Sequence, residues 1–136
     1  MRKRLRDMAL HRRVAVRSAG TRAGQRGMKP DLRARRVAEA NGISLAGIRS
    51  SQVTVRQLLR SDCIVAMDRA NQRDLLEMCP EAHRHKIHLL TQFAQSAAGD
   101  DIPDPYYGSA EGFLEVYRQI DSALTGLLDE VVQQFG

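Results

Sequence analysis

The residues best placed by type and spacing to do chemistry lie in Asp101-Ile102-Pro103-Asp104-Pro105-Tyr106-Tyr107-Gly108. Asp104 sits between two prolines, which press it and the chain around it toward extended backbone. A carboxylate held in that way is aimed, and two of the three tyrosines follow it directly. Pro, Asp and Gly are also ordinary turn residues, so the residues alone leave two readings open. One is a turn whose tyrosines pack on the core; the other is a positioned carboxylate beside aromatic side chains. A second group, Cys79, His83, His85 and His88, falls within ten residues and has metal-ligand types. A strand through residues 86–90 would put His85 and His88 on opposite faces, and Pro80 stiffens the chain next to Cys79, so no metal is expected there. No glycine-rich phosphate or dinucleotide loop is present, and no cofactor is expected.

The elements that must position these residues follow from hydrophobic spacing and caps. Residues 1–13 read as helix, with Leu5, Met8 and Ala9 on one face and no capping residue ahead of them. Residues 14–17 read as a short strand closed by Ser18-Ala19-Gly20-Thr21, and residues 22–29 as a Gly/Arg loop. Asp31 caps a helix that ends at Asn41-Gly42, with Leu32, Val37, Ala38 and Ala40 as its buried stripe. Thr54 caps a short helix through Val55, Leu58 and Leu59. Residues 63–67 form a continuous apolar run of strand length, which predicts a strand buried on both faces. Asp68 caps the next helix, whose Leu75, Leu76 and Met78 face inward and which Pro80 stops. Another short strand is expected at 86–90 and a loop at 92–100. Ser109 then caps a long helix with Phe113, Val116, Tyr117, Ile120, Leu124, Leu127 and Val131 on one face. Strands alternating with helices predict an α/β sandwich with a parallel sheet, which binds ligands at the carboxyl ends of its strands.

Residues 1–136 are expected to form one domain, with the apolar and charged fractions of a soluble globular protein. No apolar run approaches bilayer length, and residues 1–13 lack the apolar core of a secretory signal, so no membrane association and a cytoplasmic location are expected. Cys63 and Cys79 lie in apolar surroundings and read as free thiols. The net charge of +5 divides into +13 over residues 1–60 and −8 over 61–136. Such asymmetry invites a nucleic-acid reading, but the basic half contains no Phe, Tyr or Trp to stack on bases.

Taken in order, the chain resembles the low-molecular-weight protein tyrosine phosphatases. The resemblance runs along nearly all of it: Ser18-Ala19-Gly20-Thr21, Gly42-Ile43-Ser44-Leu45, the stretch Asp62-Cys63-Ile64-Val65-Ala66-Met67-Asp68-Arg69-Ala70-Asn71, and Asp104-Pro105-Tyr106-Tyr107-Gly108 before a long terminal helix. It implies a flavodoxin-like three-layer α/β sandwich and hydrolysis of phosphotyrosine or aryl phosphate monoesters through a cysteinyl-phosphate intermediate. It also implies roles: Asp104 as general acid and base, Tyr106 and Tyr107 as the walls that take the substrate ring, and Ser18 as a hydroxyl supporting the phosphate loop.

The sequence departs from the family's pattern at the nucleophile. The family's Cys-x5-Arg loop, between its first strand and first helix, has no counterpart in these residues, so the expected fold lacks the first strand and the polypeptide is expected to be inactive. Cys63 and Arg69 have the Cys-x5-Arg spacing, but no glycine lies between them and the intervening residues read as strand. A phosphate cradle turns backbone N–H groups inward, whereas a strand commits them to its neighbours, and Asp68 would repel phosphate. Ile48 and Ser51 stand where relatives commonly carry a His and an Arg that brace the loop. On this reading Met1 is an internal methionine of a phosphatase that starts about twenty residues earlier, by the length of a strand, a loop and half a helix. The alternatives are a non-catalytic relative that binds a partner through the cleft at Tyr106 and Tyr107, and a basic nucleic-acid-associated protein using residues 1–60. A sheet without its first strand is further expected to be poorly stable alone or to pair its exposed edges with another chain.

Overall fold

The computed structural model describes residues 1–22, 24, 26–94, 102 and 110–135. Its centre is a parallel pair, β1 (Ile64–Ala66) and β2 (Ile87–Leu89), with Ile64 opposite Ile87, Val65 opposite His88 and Ala66 opposite Leu89. The crossover between them is α4 (Arg69–Met78) and a 3-10 turn, Glu81–Lys86. The period of two along a strand divides the apolar run into two faces. Ile64 and Ala66 join Leu58, Leu75, Cys79, Ile87 and Leu89 in one core cluster, under α4 and the short helix α3 (Val55–Arg60). Cys63 and Val65 join Leu90, Ala123, Leu127 and Val131 in the other, under the long helix α5 (Ala110–Phe135). Helix, sheet and helix therefore form three layers, which is why residues 63–66 are apolar without alternation, while Met67, just past the strand, is exposed.

The caps read from the sequence are present where they are described. Asp31 accepts the backbone N–H of Arg33 at 2.8 Å and starts α2 (Leu32–Ala40). Thr54 and Gln57 form a reciprocal capping box at α3. Asp68 accepts the N–H of Asn71 at 2.7 Å and starts α4. Ser109, expected to cap α5, lies outside the described residues.

Three expectations are corrected. Helix α1 covers only Arg2–Asp7, and residues 8–13 are turns and irregular chain. Leu5 is buried there while Met8 is exposed, because the chain reverses at Ala9 before Met8's face can meet the core. Residues 14–17 form no strand; the run ends in a single parallel bridge from Gly20 to Gln52. A strand is defined by its ladder, and among the described residues no strand lies beside this run. In α2 the buried residue is Ala38, and Leu32 is exposed. The helix is turned so that the Arg33 guanidinium lies 4.5 Å over the ring of Phe113 on α5.

Candidate functional site

The residues that follow the carboxyl end of β1 border an open cleft of about 550 Å³. Three segments build it, residues 18–22, 28–30 and 48–51, together with the first turns of α4. Backbone pairing fixes the first against the third: Gly20 N–H donates to Ser51 O at 2.8 Å, and Val53 N–H to Gly20 O at 2.9 Å. The second is held by Ser50, whose N–H donates to Met28 O at 2.8 Å and whose hydroxyl accepts from Met28 N–H at 2.9 Å. Asn71, one helical turn into α4 from the Asp68 cap, donates its side-chain amide to the Thr21 hydroxyl at 3.1 Å. The cap thus orients the residue that ties the helix to the cleft.

Ser18 is exposed and lines this cleft, as do Ile48 and Ser51. The structure therefore brings Ser18 together with Ile48 and Ser51 on one cleft. Asp104, Tyr106 and Tyr107 lie outside the described residues. Ile102, two residues ahead of Asp104, is buried and donates its N–H to Met67 O at 2.9 Å, directly after β1.

Cys63 stands at the entry to β1, half-buried, with Arg69 beyond the strand at the start of α4. Burial pushes its thiol pKa up, and the carboxylates of Glu130 and Asp62 push it the same way. A thiol so placed stays protonated, the reverse of an activated nucleophile. Cys79 is buried at the end of α4, where its N–H donates to Leu75 O at 2.9 Å. His83 and His85 lie in the 3-10 turn and His88 on β2, edge-on to Phe93 with ring centres 5.8 Å apart. Among the described residues no three His, Cys, Asp or Glu side chains converge as metal ligands.

The sequence reading missed the cationic rim of the cleft. Arg22 makes a two-pronged pair with Asp74 of α4, Nε to Oδ2 at 2.9 Å and Nη2 to Oδ1 at 3.0 Å. The Arg22 guanidinium holds the Asp74 carboxyl below the usual carboxylate range. Lys29 and Arg49 stand on the same cleft, both exposed. Their charges were visible in the sequence, but separated by up to 27 positions they gave no sign of sharing a cleft.

A parallel sheet between helical layers, with its cleft beyond the carboxyl end of a strand, is an α/β fold of flavodoxin-like type. A profile of the family described as low molecular weight phosphotyrosine protein phosphatase matches residues 1–135, and the chain belongs to that family. It is 35% identical over 136 residues to a low molecular weight protein-tyrosine-phosphatase of Streptomyces coelicolor, covering 98% of this chain and 82% of the relative. Low molecular weight protein-tyrosine phosphatase A of Mycobacterium tuberculosis is 38% identical over 129 residues, covering 93% of this chain and 77% of the relative. The crystal structure of a protein tyrosine phosphatase from Entamoeba histolytica with Hepes in the active site superposes with a TM-score of 0.91 at 30% identity. That match covers 97% of this chain and 84% of the other.

Proposed function

We propose that this chain carries the proton-donor side of a tyrosine phosphatase site and that the 136-residue polypeptide does not itself hydrolyse phosphate monoesters. In this reading Asp104 is the general acid that protonates a departing phenolate and then activates water. Tyr106 and Tyr107 flank the ring of a phosphotyrosine side chain or other aryl phosphate, and the Ser18 hydroxyl serves as support at the phosphate-binding end. The position of Ser18 on the cleft and the anchoring of Ile102 to Met67 support a site at the carboxyl end of β1. The family reaction proceeds through a cysteinyl phosphate and therefore needs a thiolate among hydrogen-bond donors. The observation that carries the proposed inactivity is Cys63: its Cys-x5-Arg spacing is spent on strand β1, and its thiol is pushed toward the neutral form.

Hydrolysis of p-nitrophenyl phosphate tests this directly. Between about pH 5 and about pH 8 the rate is expected to equal the buffer blank, with Cys63→Ser and Asp104→Asn changing nothing. Turnover above the blank that vanishes in either variant would overturn the reading. Two free thiols and a phosphoprotein ligand fit a reducing cytoplasm. No helix among the described residues is long and apolar enough to cross a membrane. The outer edge of β1 faces no strand among the described residues and is the surface through which we expect the chain to pair with another copy.

A further inference from the structure

The cleft has a sign. Among the described residues four charged side chains line it, of which Asp74 alone is a carboxylate, and it is engaged by Arg22 through both of its oxygens. Lys29 and Arg49 are exposed, and among the described residues neither has an ion-pair partner; Arg49 donates only to its neighbour's carbonyl, Ile48 O, at 2.9 Å. The wall that carries these two cations is braced at both ends, by the Met28–Ser50 ladder and by the Gly20–Gln52 bridge, so their backbone positions are fixed before any ligand arrives. The same cleft is lined by small hydroxyls, Ser18 and Ser51, and by the apolar side chains of Met28 and Ile48.

We propose that this cleft is a docking groove for an extended acidic peptide segment, whose carboxylates are taken by Lys29 and Arg49 while its backbone and small side chains lie along the hydroxyl and apolar wall. Charge complementarity selects the occupant: an excess of two positive charges on a fixed wall favours carboxylates at peptide spacing. A polynucleotide is disfavoured because two cations release too few counterions for appreciable affinity. The proposal rests on the phosphatase reading only in taking a protein segment as the ligand. On that reading, acidic residues flanking a phosphotyrosine are what the groove would hold.

Binding is measured without turnover, so hydrolytic activity, present or absent, leaves the result intact. Fluorescence anisotropy compares a rhodamine-labelled twelve-residue peptide repeating Asp-Gly-Glu-Ser with its Asn-Gly-Gln-Ser counterpart. At low salt the acidic peptide is expected to bind about tenfold more tightly, and raising sodium chloride to about 0.5 M should remove most of that preference. The double variant Lys29→Gln with Arg49→Gln should bring the two peptides within about twofold of each other, and each single variant should cost about threefold. The control pair Arg56→Gln with Arg118→Gln removes the same charge from exposed positions on α3 and α5 and should keep the preference. Far-UV circular dichroism confirms that each variant is folded. Equal binding of the two peptides, an equal loss in the control pair, or displacement by a thymidine oligonucleotide of the same charge at the same concentration overturns the proposal.

Discussion

Ala9 and Gly42 occupy the same place in two different helices. After α1, Ala9 N–H donates to Arg6 O and Leu10 N–H to Leu5 O; after α2, Gly42 N–H donates to Glu39 O and Ile43 N–H to Ala38 O. Both are helix ends in which one residue takes left-handed backbone to satisfy the last carbonyls, with φ of 58° at Ala9 and 75° at Gly42. Gly42 has that conformation without a steric cost, and Ala9 does not. Ala9→Gly is therefore expected to raise stability by about 0.5–1 kcal/mol, the relief of strain less the extra freedom of glycine in the unfolded chain. Gly42→Ala should lower it by about 1 kcal/mol, because a Cβ there meets nothing closer than Lys3 Cε at 3.9 Å and the penalty is backbone strain alone. Urea midpoints decide both, and equal shifts of the same sign would refute the assignment. Asn41-Gly42 was legible as a helix end because glycine announces left-handed backbone. Ala9 was not, since an alanine in a basic amphipathic run reads as helix interior, and this is why α1 was expected to run to residue 13.

Among the elements, α5 carries the least expected contact. Its length and its stripe of Phe113, Leu127 and Val131 follow from helical spacing, and all three are buried. Gly126, in the middle of that pattern, looks like a defect costing about 1 kcal/mol in an isolated helix. The structure gives the reason for it: a Cβ at Gly126 would stand 2.0 Å from the carbonyl oxygen of Phe93 and 3.0 Å from its carbon. The helix lies backbone to backbone on the 3-10 turn Leu90–Phe93 that leaves β2. Gly126→Ala must move one of two main chains, so a loss of about 2–3 kcal/mol is expected, read as a lower urea midpoint with α5 still helical by circular dichroism. A neutral outcome would mean that the two elements do not approach this closely. Strand β1 was legible for the opposite reason, because burial on both faces writes itself into an unbroken apolar run. Residues 14–17 carry a similar local signal, but a strand depends on a neighbour that no local pattern supplies.

For the whole molecule, the charge asymmetry that suggested an external anion is answered partly within the chain. Two of the ion pairs, Arg4 with Asp121 at 2.6 Å and Arg22 with Asp74 at 2.9 Å, join the basic half to the acidic half. The composition revealed the imbalance, while only the fold shows which cations are answered and which, as at Lys29 and Arg49, face solvent. Asp104, Tyr106 and Tyr107, proposed above as the acid loop, were legible as a motif, and they fall outside the described residues. The sheet edge leads to a prediction at this scale. Sedimentation velocity over a wide range of protein concentration should show a sedimentation coefficient that rises with concentration, and the thermal midpoint should rise with it. A monomer at every concentration with a steep unfolding transition of ordinary height would sink the edge-pairing reading.

Arg4 also gives the fold a temporal order. Its guanidinium holds Asp121 by both the main-chain and side-chain oxygens and reaches the Thr125 hydroxyl, joining residues 117 and 121 positions apart. A chain emerging from the ribosome makes Arg2–Asp7 long before Asp121. At about 5–20 residues per second the partner arrives roughly 6–23 s after the arginine that will hold it. Throughout that interval the first helix has no last helix to clasp. This contact therefore cannot form until the last helix has emerged, and until then the arginine-rich segment Arg2–Asp7 stays within reach of other anions in the cell.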